Sequence, residues 1–151
     1  MSNDRMKTRF LLIDDDRDDR ELFCEALATV DPVIGCDQAT DGAEALDLLR
    51  KKEIAEPDII FLDINMPGMN GWQFLSKLKS EEAYKHIPVI MYSTSSNVRD
   101  RRIADEMGAL CFITKPHAFR VLRELLGVVA WHVSRRDYRA ICQELMAFSV
   151  I

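Results

Sequence analysis

A chain of 151 residues, 48% of them apolar, is long enough for one domain with a buried core. Its 25 acidic and 20 basic side chains give a formal net charge of −5, which disfavours binding to nucleic-acid phosphates. No apolar stretch approaches the ~20 residues of a membrane span, and the polar segment Met1 to Arg9 lacks the apolar run of a signal peptide. The expectation is a cytoplasmic protein with no membrane or nucleic-acid partner.

In chain order, short apolar runs alternate with amphipathic stretches. The run 9–13 predicts a first strand, and Leu22, Cys24, Ala26, Leu27 and Val30 give 18–30 a helical stripe. A second strand is predicted over 33–37, followed by a helix over 42–52 with Ala45, Leu46, Leu48 and Leu49 on one face. The run 58–62 predicts a third strand. The helix over 70–80 carries Trp72, Phe74, Leu75 and Leu78, with Asn70 as its N-cap. A fourth strand over 87–92 precedes a helix over 97–107, capped by Asn97 and ended by Gly108. A fifth strand over 110–113 leads to a helix over 117–133 with Leu122, Leu125, Leu126, Val129 and Val133. Continuous apolar runs of this length are the pattern of parallel strands buried on both faces. Pro32, Pro57 and Pro88 fall at strand entrances, where a missing N–H costs little.

The apolar stripe of the fifth helix does not continue in phase. A new stripe runs through Tyr138, Ile141, Leu145 and Phe148, and Ser134-Arg135-Arg136-Asp137 has the spacing of a capping box. This predicts a sixth, short helix at about 135–148, with one long kinked fifth helix as the alternative. A short helix needs a surface to bury its stripe, either the flank of its own domain or a second copy of the chain.

The (βα)₅ order implies a parallel sheet between layers of helices. In such a sheet, residues just past the strand ends converge on one crevice. Asp14-Asp15-Asp16 follow the first strand, Asp63 the third, Ser93-Thr94 close the fourth, and Lys115-Pro116 follow the fifth. Carboxylates this close repel one another and rise in pKa unless a cation sits among them. A hard divalent ion such as Mg²⁺ resolves the repulsion and can bridge to a phosphoryl group. A carboxylate in that setting is a nucleophile for phosphoryl transfer, with Lys115 supplying positive charge and Ser93 a hydrogen bond. Each signal has a plainer reading. An acidic run favours a helix N-terminus through the dipole, and the hydroxyls of Tyr92-Ser93-Thr94-Ser95 suit a strand end capping the next helix. Cys24, Cys36, Cys111 and Cys142 lack CxxC spacing, which implies reduced thiols, and His86, His117 and His132 form no ligand cluster.

The acidic pair, the segment Leu62-Asp63-Ile64-Asn65-Met66-Pro67-Gly68-Met69-Asn70-Gly71, Ser93 and Lys115-Pro116 together resemble the receiver domain of two-component response regulators, over residues 9 to about 133. The resemblance implies a flavodoxin-like doubly wound α/β fold with strand order 2-1-3-4-5, a fold for which a chemotaxis receiver is a known example. It implies that Asp63 is the phosphoacceptor, phosphorylated with Mg²⁺ by a sensor histidine kinase or phosphotransfer protein. Asp15, the Asp63 side chain and the Asn65 carbonyl resemble direct Mg²⁺ ligands, and Asp14 the residue that holds the metal through water. Ser93 and Phe112 resemble the switch pair, Ser93 shifting towards the phosphoryl group and Phe112 turning inward; Phe112 has no hydroxyl for an outward hydrogen bond. Lys115 resembles the lysine paired to Asp63, with a cis bond to Pro116. Asp16 reads as a solvated loop residue.

The expected division is a receiver over 1–134 and a C-terminal helical extension over 135–151. Only about 17 residues follow the receiver, too few for an output domain, so a stand-alone switch acting through an unspecified protein target is expected. A Mg²⁺-dependent phosphohydrolase is the main alternative, but that class carries a second acid where this chain has Asn65. A degenerate receiver that only binds partners is the other; the full set Asp14, Asp15, Asp63, Ser93 and Lys115 argues against it.

Overall fold

The computed structural model describes residues 7–148. Five strands, β1 (Arg9–Ile13), β2 (Gly35–Ala39), β3 (Ile59–Leu62), β4 (Val89–Ser93) and β5 (Cys111–Thr114), alternate with α1 (Arg17–Val30), α2 (Gly42–Arg50), α3 (Gly71–Ser80), α4 (Val98–Glu106) and α5 (Phe119–Ser134). All pairings are parallel, in the order β2-β1-β3-β4-β5. This is the expected doubly wound flavodoxin-like sheet.

The twofold alternation of side chains along each strand divides the interior into two layers. Phe10, Leu12, Phe61 and Ile90 face α1 and α5, joining Phe23, Leu27, Leu122, Leu126 and Val129. Leu11, Ile13, Ile60, Leu62 and Met91 face the other side, with Leu46, Phe74, Leu75 and Ala104. Phe61 stands at the centre of the first layer, its ring 4.8 Å from Phe23 and 5.7 Å from Phe10.

Asp16, Asp41, Asn70 and Asn97 each cap the helix that follows. Asn70 and Gln73 complete a reciprocal capping box. Gly108, at φ +86°, ends α4 as its pattern predicts. The second strand lies two residues later than expected. The Asp31 carboxylate accepts from the Val33 N–H at 3.0 Å, and Ile34 N–H bonds the Asp31 carbonyl, so Val33 and Ile34 belong to a turn.

The tail departs further. A sixth helix, α6, covers Arg139–Leu145, followed by a 3-10 turn at Met146–Phe148. The Ser134–Asp137 capping box does not form. Ser134 is still in the last turn of α5, and its hydroxyl donates back to the Trp131 carbonyl at 2.9 Å. Arg136 takes the left-handed conformation at φ +59°, and the N–H groups of Arg136 and Asp137 bond the carbonyls of Val133 and His132. That is the glycine-type helix stop, built here on arginine. It reverses the chain so that Ile141 and Leu145, both fully buried, enter the same layer as Leu126 and Val129. The tail stripe therefore packs on the α5 side of its own domain, the first of the two surfaces that the sequence left open. Arg136 pairs with the Asp58 carboxylate at 2.8 Å, Tyr138 Oη donates to the Asp58 carbonyl, and Cys142 Sγ donates to the Leu110 carbonyl at 2.9 Å. These anchors sit at the entrances of β3 and β5, the end of the sheet away from the acidic cluster. Trp131, by contrast, stands exposed on the outer face of α5 beneath the Arg135 guanidinium.

Candidate phosphoryl-acceptor site

The register of the central strands brings the predicted residues together. Ile13 lies opposite Leu62, and Ser93 opposite Thr114. One further backbone bond extends each ladder past its strand: Asp63 N–H to Ile13 O at 2.9 Å, Asp14 N–H to Ala39 O at 3.0 Å, and Lys115 N–H to Ser93 O at 2.7 Å. Asp14, Asp63 and Lys115 are thereby held at one rim. Carboxylate oxygens of Asp14, Asp15 and Asp63 all lie within 4.8 Å of one another.

The three acids are not equivalent. Asp14 is fully buried and both of its oxygens are engaged, Oδ1 by the Asp16 N–H at 2.9 Å and Oδ2 by Lys115 Nζ at 2.7 Å. Asp63 is buried, and its Oδ1 accepts from the Ile64 N–H at 3.0 Å. Asp15 is exposed. Burial first, then the neighbouring Asp14 and Asp15 charges, push Asp63 up to about 7, against the opposing pull of Lys115. Burial likewise raises Asp14, although its hydrogen bond from Lys115 pulls the other way. A cluster of three carboxylates, two of them buried and raised in pKa, fits a hard divalent cation that would offset their desolvation and mutual repulsion. Asp15 and Asp63 carry the oxygens best placed for it, and Asn65 is exposed two residues on.

Lys115 pairs with Asp63 only at long range and lies closer to two other acids. Its Nζ lies 2.7 Å from Asp14, 2.8 Å from Asp19 and 3.9 Å from Asp63. Burial alone would lower its pKa; the hydrogen bonds to Asp14 and Asp19 outweigh that and raise it. The sequence reading missed Asp19. The available signal was its place three residues after the cap Asp16, on the first turn of α1, whose N-terminus opens at the same rim as Asp14. The Lys115–Pro116 bond is not cis; every peptide bond among the described residues is trans, the lower-energy isomer for X–Pro.

The loop after Asp63 is closed by Gly71, whose N–H bonds the Ile64 carbonyl at 2.9 Å. A Cβ at Gly71 would lie 2.2 Å from the Asp63 carbonyl oxygen, so only glycine lets α3 start this close to the end of β3.

Ser93 is fully buried, and its Oγ accepts from the Ser95 N–H at 3.2 Å. From there contacts lead to β5. The Ser95 carbonyl accepts from Thr114 Oγ1 at 2.8 Å, and Thr114 Oγ1 accepts from Arg101 Nη2 at 3.0 Å. The Arg101 guanidinium also lies 5.2 Å over the Phe112 ring. Phe112 is only 5% exposed, so its ring already occupies the inward position that the resemblance reserved for the phosphorylated state. Asp16 is the N-cap of α1, accepting from the Asp19 N–H at 3.2 Å.

The family model of the response regulator receiver domain matches residues 10–127. Protein PilG of Pseudomonas aeruginosa is 34% identical over 116 residues, covering 77% of this chain and 83% of PilG. A chemotaxis protein CheY homolog of Campylobacter jejuni is 32% identical over 120 residues, covering 78% of this chain and 88% of the homolog. Among solved structures, the phosphorylated cyanobacterial phytochrome response regulator RcpA superposes with a TM-score of 0.76 at 30% identity, covering 83% of this chain and 93% of RcpA. The Mn²⁺-bound form of response regulator Rcp1 superposes with a TM-score of 0.72 at 27% identity, covering 81% of this chain and 91% of Rcp1. In the described residues, no helix is long and apolar enough to cross a membrane.

Proposed function

This chain belongs to the response regulator receiver domain family, and we propose on that premise that it is a phospho-accepting switch in two-component signalling, with Asp63 as the acceptor. The observation that carries the reading is a buried carboxylate at the end of the central strand, flanked by Asp14, Asp15 and a half-buried lysine. An Asp63 oxygen attacks the phosphorus of a phosphohistidine or acyl phosphate; the new P–O bond forms as the bond to the donor breaks. Asp15, the Asp63 side chain and the Asn65 carbonyl would hold Mg²⁺, with Asp14 acting through water because both of its oxygens already accept hydrogen bonds. The cation would neutralise charge on the phosphoryl oxygens. Lys115 is within reach of a phosphoryl group on Asp63, whose oxygens compete with Asp14 and Asp19 for the ammonium. The Ser93 hydroxyl supplies a further donor. Its contacts through Ser95 and Thr114 to Arg101 give the phosphoryl group a route to Phe112. The enzymatic repertoire is self-phosphotransfer and autodephosphorylation. The donors are a sensor histidine kinase or phosphotransfer protein, and the output is contact with a protein target. Residues 1–134 form the receiver and 135–151 its C-terminal extension, of which 1–6 and 149–151 lie outside the described residues.

Incubation with acetyl phosphate and Mg²⁺, followed by intact-mass analysis, tests the assignment. One phosphoryl group is expected on the parent and none on Asp63→Asn. A label of equal yield on Asp63→Asn would sink it.

A further inference from the structure

The four cysteines are scattered in sequence, but the fold pairs them, Cys24 with Cys36 and Cys111 with Cys142. Cys24 Sγ on α1 and Cys36 Sγ on β2 are 3.2 Å apart, and neither residue is fully buried. One adjoining contact spans the same junction. Arg20 precedes Cys24 by one helical turn, and its Nε donates to Gln38 Oε1 at 3.2 Å, two residues beyond Cys36 on the same face of β2. Spacings of four on the helix and two on the strand therefore match across the α1–β2 junction. β2 is an edge strand, so the junction lies at the flank of the sheet rather than in its centre.

We propose that Cys24 and Cys36 form a modification site, a reversible disulfide that clips α1 to β2 when the protein meets a peroxide. The Cys24 thiolate attacks one oxygen of hydrogen peroxide; the O–O bond breaks, and with one proton taken up the products are a sulfenic acid and water. The Cys36 sulfur then attacks the Cys24 sulfur, the S–S bond forms and a second water leaves. In sum, two thiols are oxidised, one peroxide is reduced, and two waters are released. Cys24 is the first to react: the hydrogen bond from Cys36 and the Arg20 guanidinium hold its thiol below the usual range, against burial. The hydrogen bond to Cys24 and burial push the Cys36 thiol up, so it serves as the resolving partner. Bond formation needs the sulfurs to close from 3.2 Å to about 2.0 Å. In the other pair, the Cys142 thiol beside Cys111 is already engaged, donating to the Leu110 carbonyl at 2.9 Å beneath α6.

The clip would act next to the acceptor site. Arg20 also donates to the Asp14 carbonyl at 2.8 Å, and the preceding Asp19 holds Lys115. The proposal stands on the thiol geometry and is independent of the phosphoryl assignment.

The test is peptide mapping of the reduced full chain after treatment with stoichiometric hydrogen peroxide, without reductant. A Cys24–Cys36 crosslinked peptide is expected, reversed by dithiothreitol. The oxidised protein should melt roughly 5–10 °C above the reduced form, because a short loop is closed in the unfolded chain. Cys36→Ser should leave a sulfenic acid on Cys24 that dimedone traps, and Cys24→Ser should give neither product. Circular dichroism of both reduced variants checks that they fold. A crosslink confined to Cys111 and Cys142, an intermolecular disulfide, or Cys24 and Cys36 remaining thiols would each overturn the proposal.

Discussion

The ammonium of Lys115 lies 2.8 Å from Asp19 on the first turn of α1 and 3.9 Å from Asp63 on the neighbouring strand end. The lysine beside Asp63 is thus drawn towards the helix side of the cleft, between Asp14 and Asp19. Any group that binds Asp63 has to compete for it.

Removing that competitor should be measurable. In Asp19→Asn, Lys115 is released towards Asp63, and its positive charge then favours the Asp63 carboxylate more strongly. The Asp63 pKa should fall from about 7, as read by carboxyl-carbon NMR titration without divalent cations. An unchanged titration would mean that Asp19 does not govern where Lys115 sits.

The raised Asp63 pKa also predicts how stability depends on pH. Between the unfolded value of 3.8 and the folded value of about 7, the native state holds a proton that the unfolded state has lost. Stability therefore falls as pH rises through this window. The shift sets an upper bound of about 4 kcal/mol. With a chelator present, thermal melts should show Tm declining from pH 5 to 8, and Asp63→Asn should flatten the decline and exceed the parent above pH 7. Mg²⁺ should restore much of the loss at pH 8.

The first loop sets the proposed metal ligand Asp15 beside the helix cap Asp16. Asp15→Ala should abolish Mg²⁺ binding by calorimetry at ordinary protein concentrations. Asp16→Ala should retain binding but lose about 1 kcal/mol of folding stability, because it deletes the hydrogen bond to the Asp19 N–H. Equal binding by both variants would misplace the metal site.

The C-terminal helix should be a stabilising element. Ile141 and Leu145 are fully buried in the layer shared with α5. Leu145→Ala should cost about 2–4 kcal/mol in urea denaturation, and deleting residues 135–151 should cost more. A truncated chain as stable as the parent would show that the docking contributes nothing.

Much of the fold was legible because its signals are local. Each of β1, β3 and β4 is a continuous apolar run, which only a strand covered on both faces can bury, and Asn70, Asn97 and Gly108 mark helix ends by their own backbone chemistry. The gathering of Asp14, Asp63, Ser93 and Lys115 was legible for a topological reason, since parallel strands deliver the residues beyond their ends to one rim. What the sequence could not decide depends on contacts between distant segments. Three carboxylates lie near the end of the lysine's flexible stem, and burial of Asp14 together with the pitch of α1 settles which of them hold it closest. The reversal of the chain at Arg136 turns the tail stripe onto α5, and nothing local announces a left-handed arginine. Phe112 is already buried in the layer of Met91 and Ala104, with the Arg101 guanidinium over its ring. Cys24 and Cys36 look unrelated along the chain, and only the packing of α1 across β2 places their sulfurs side by side.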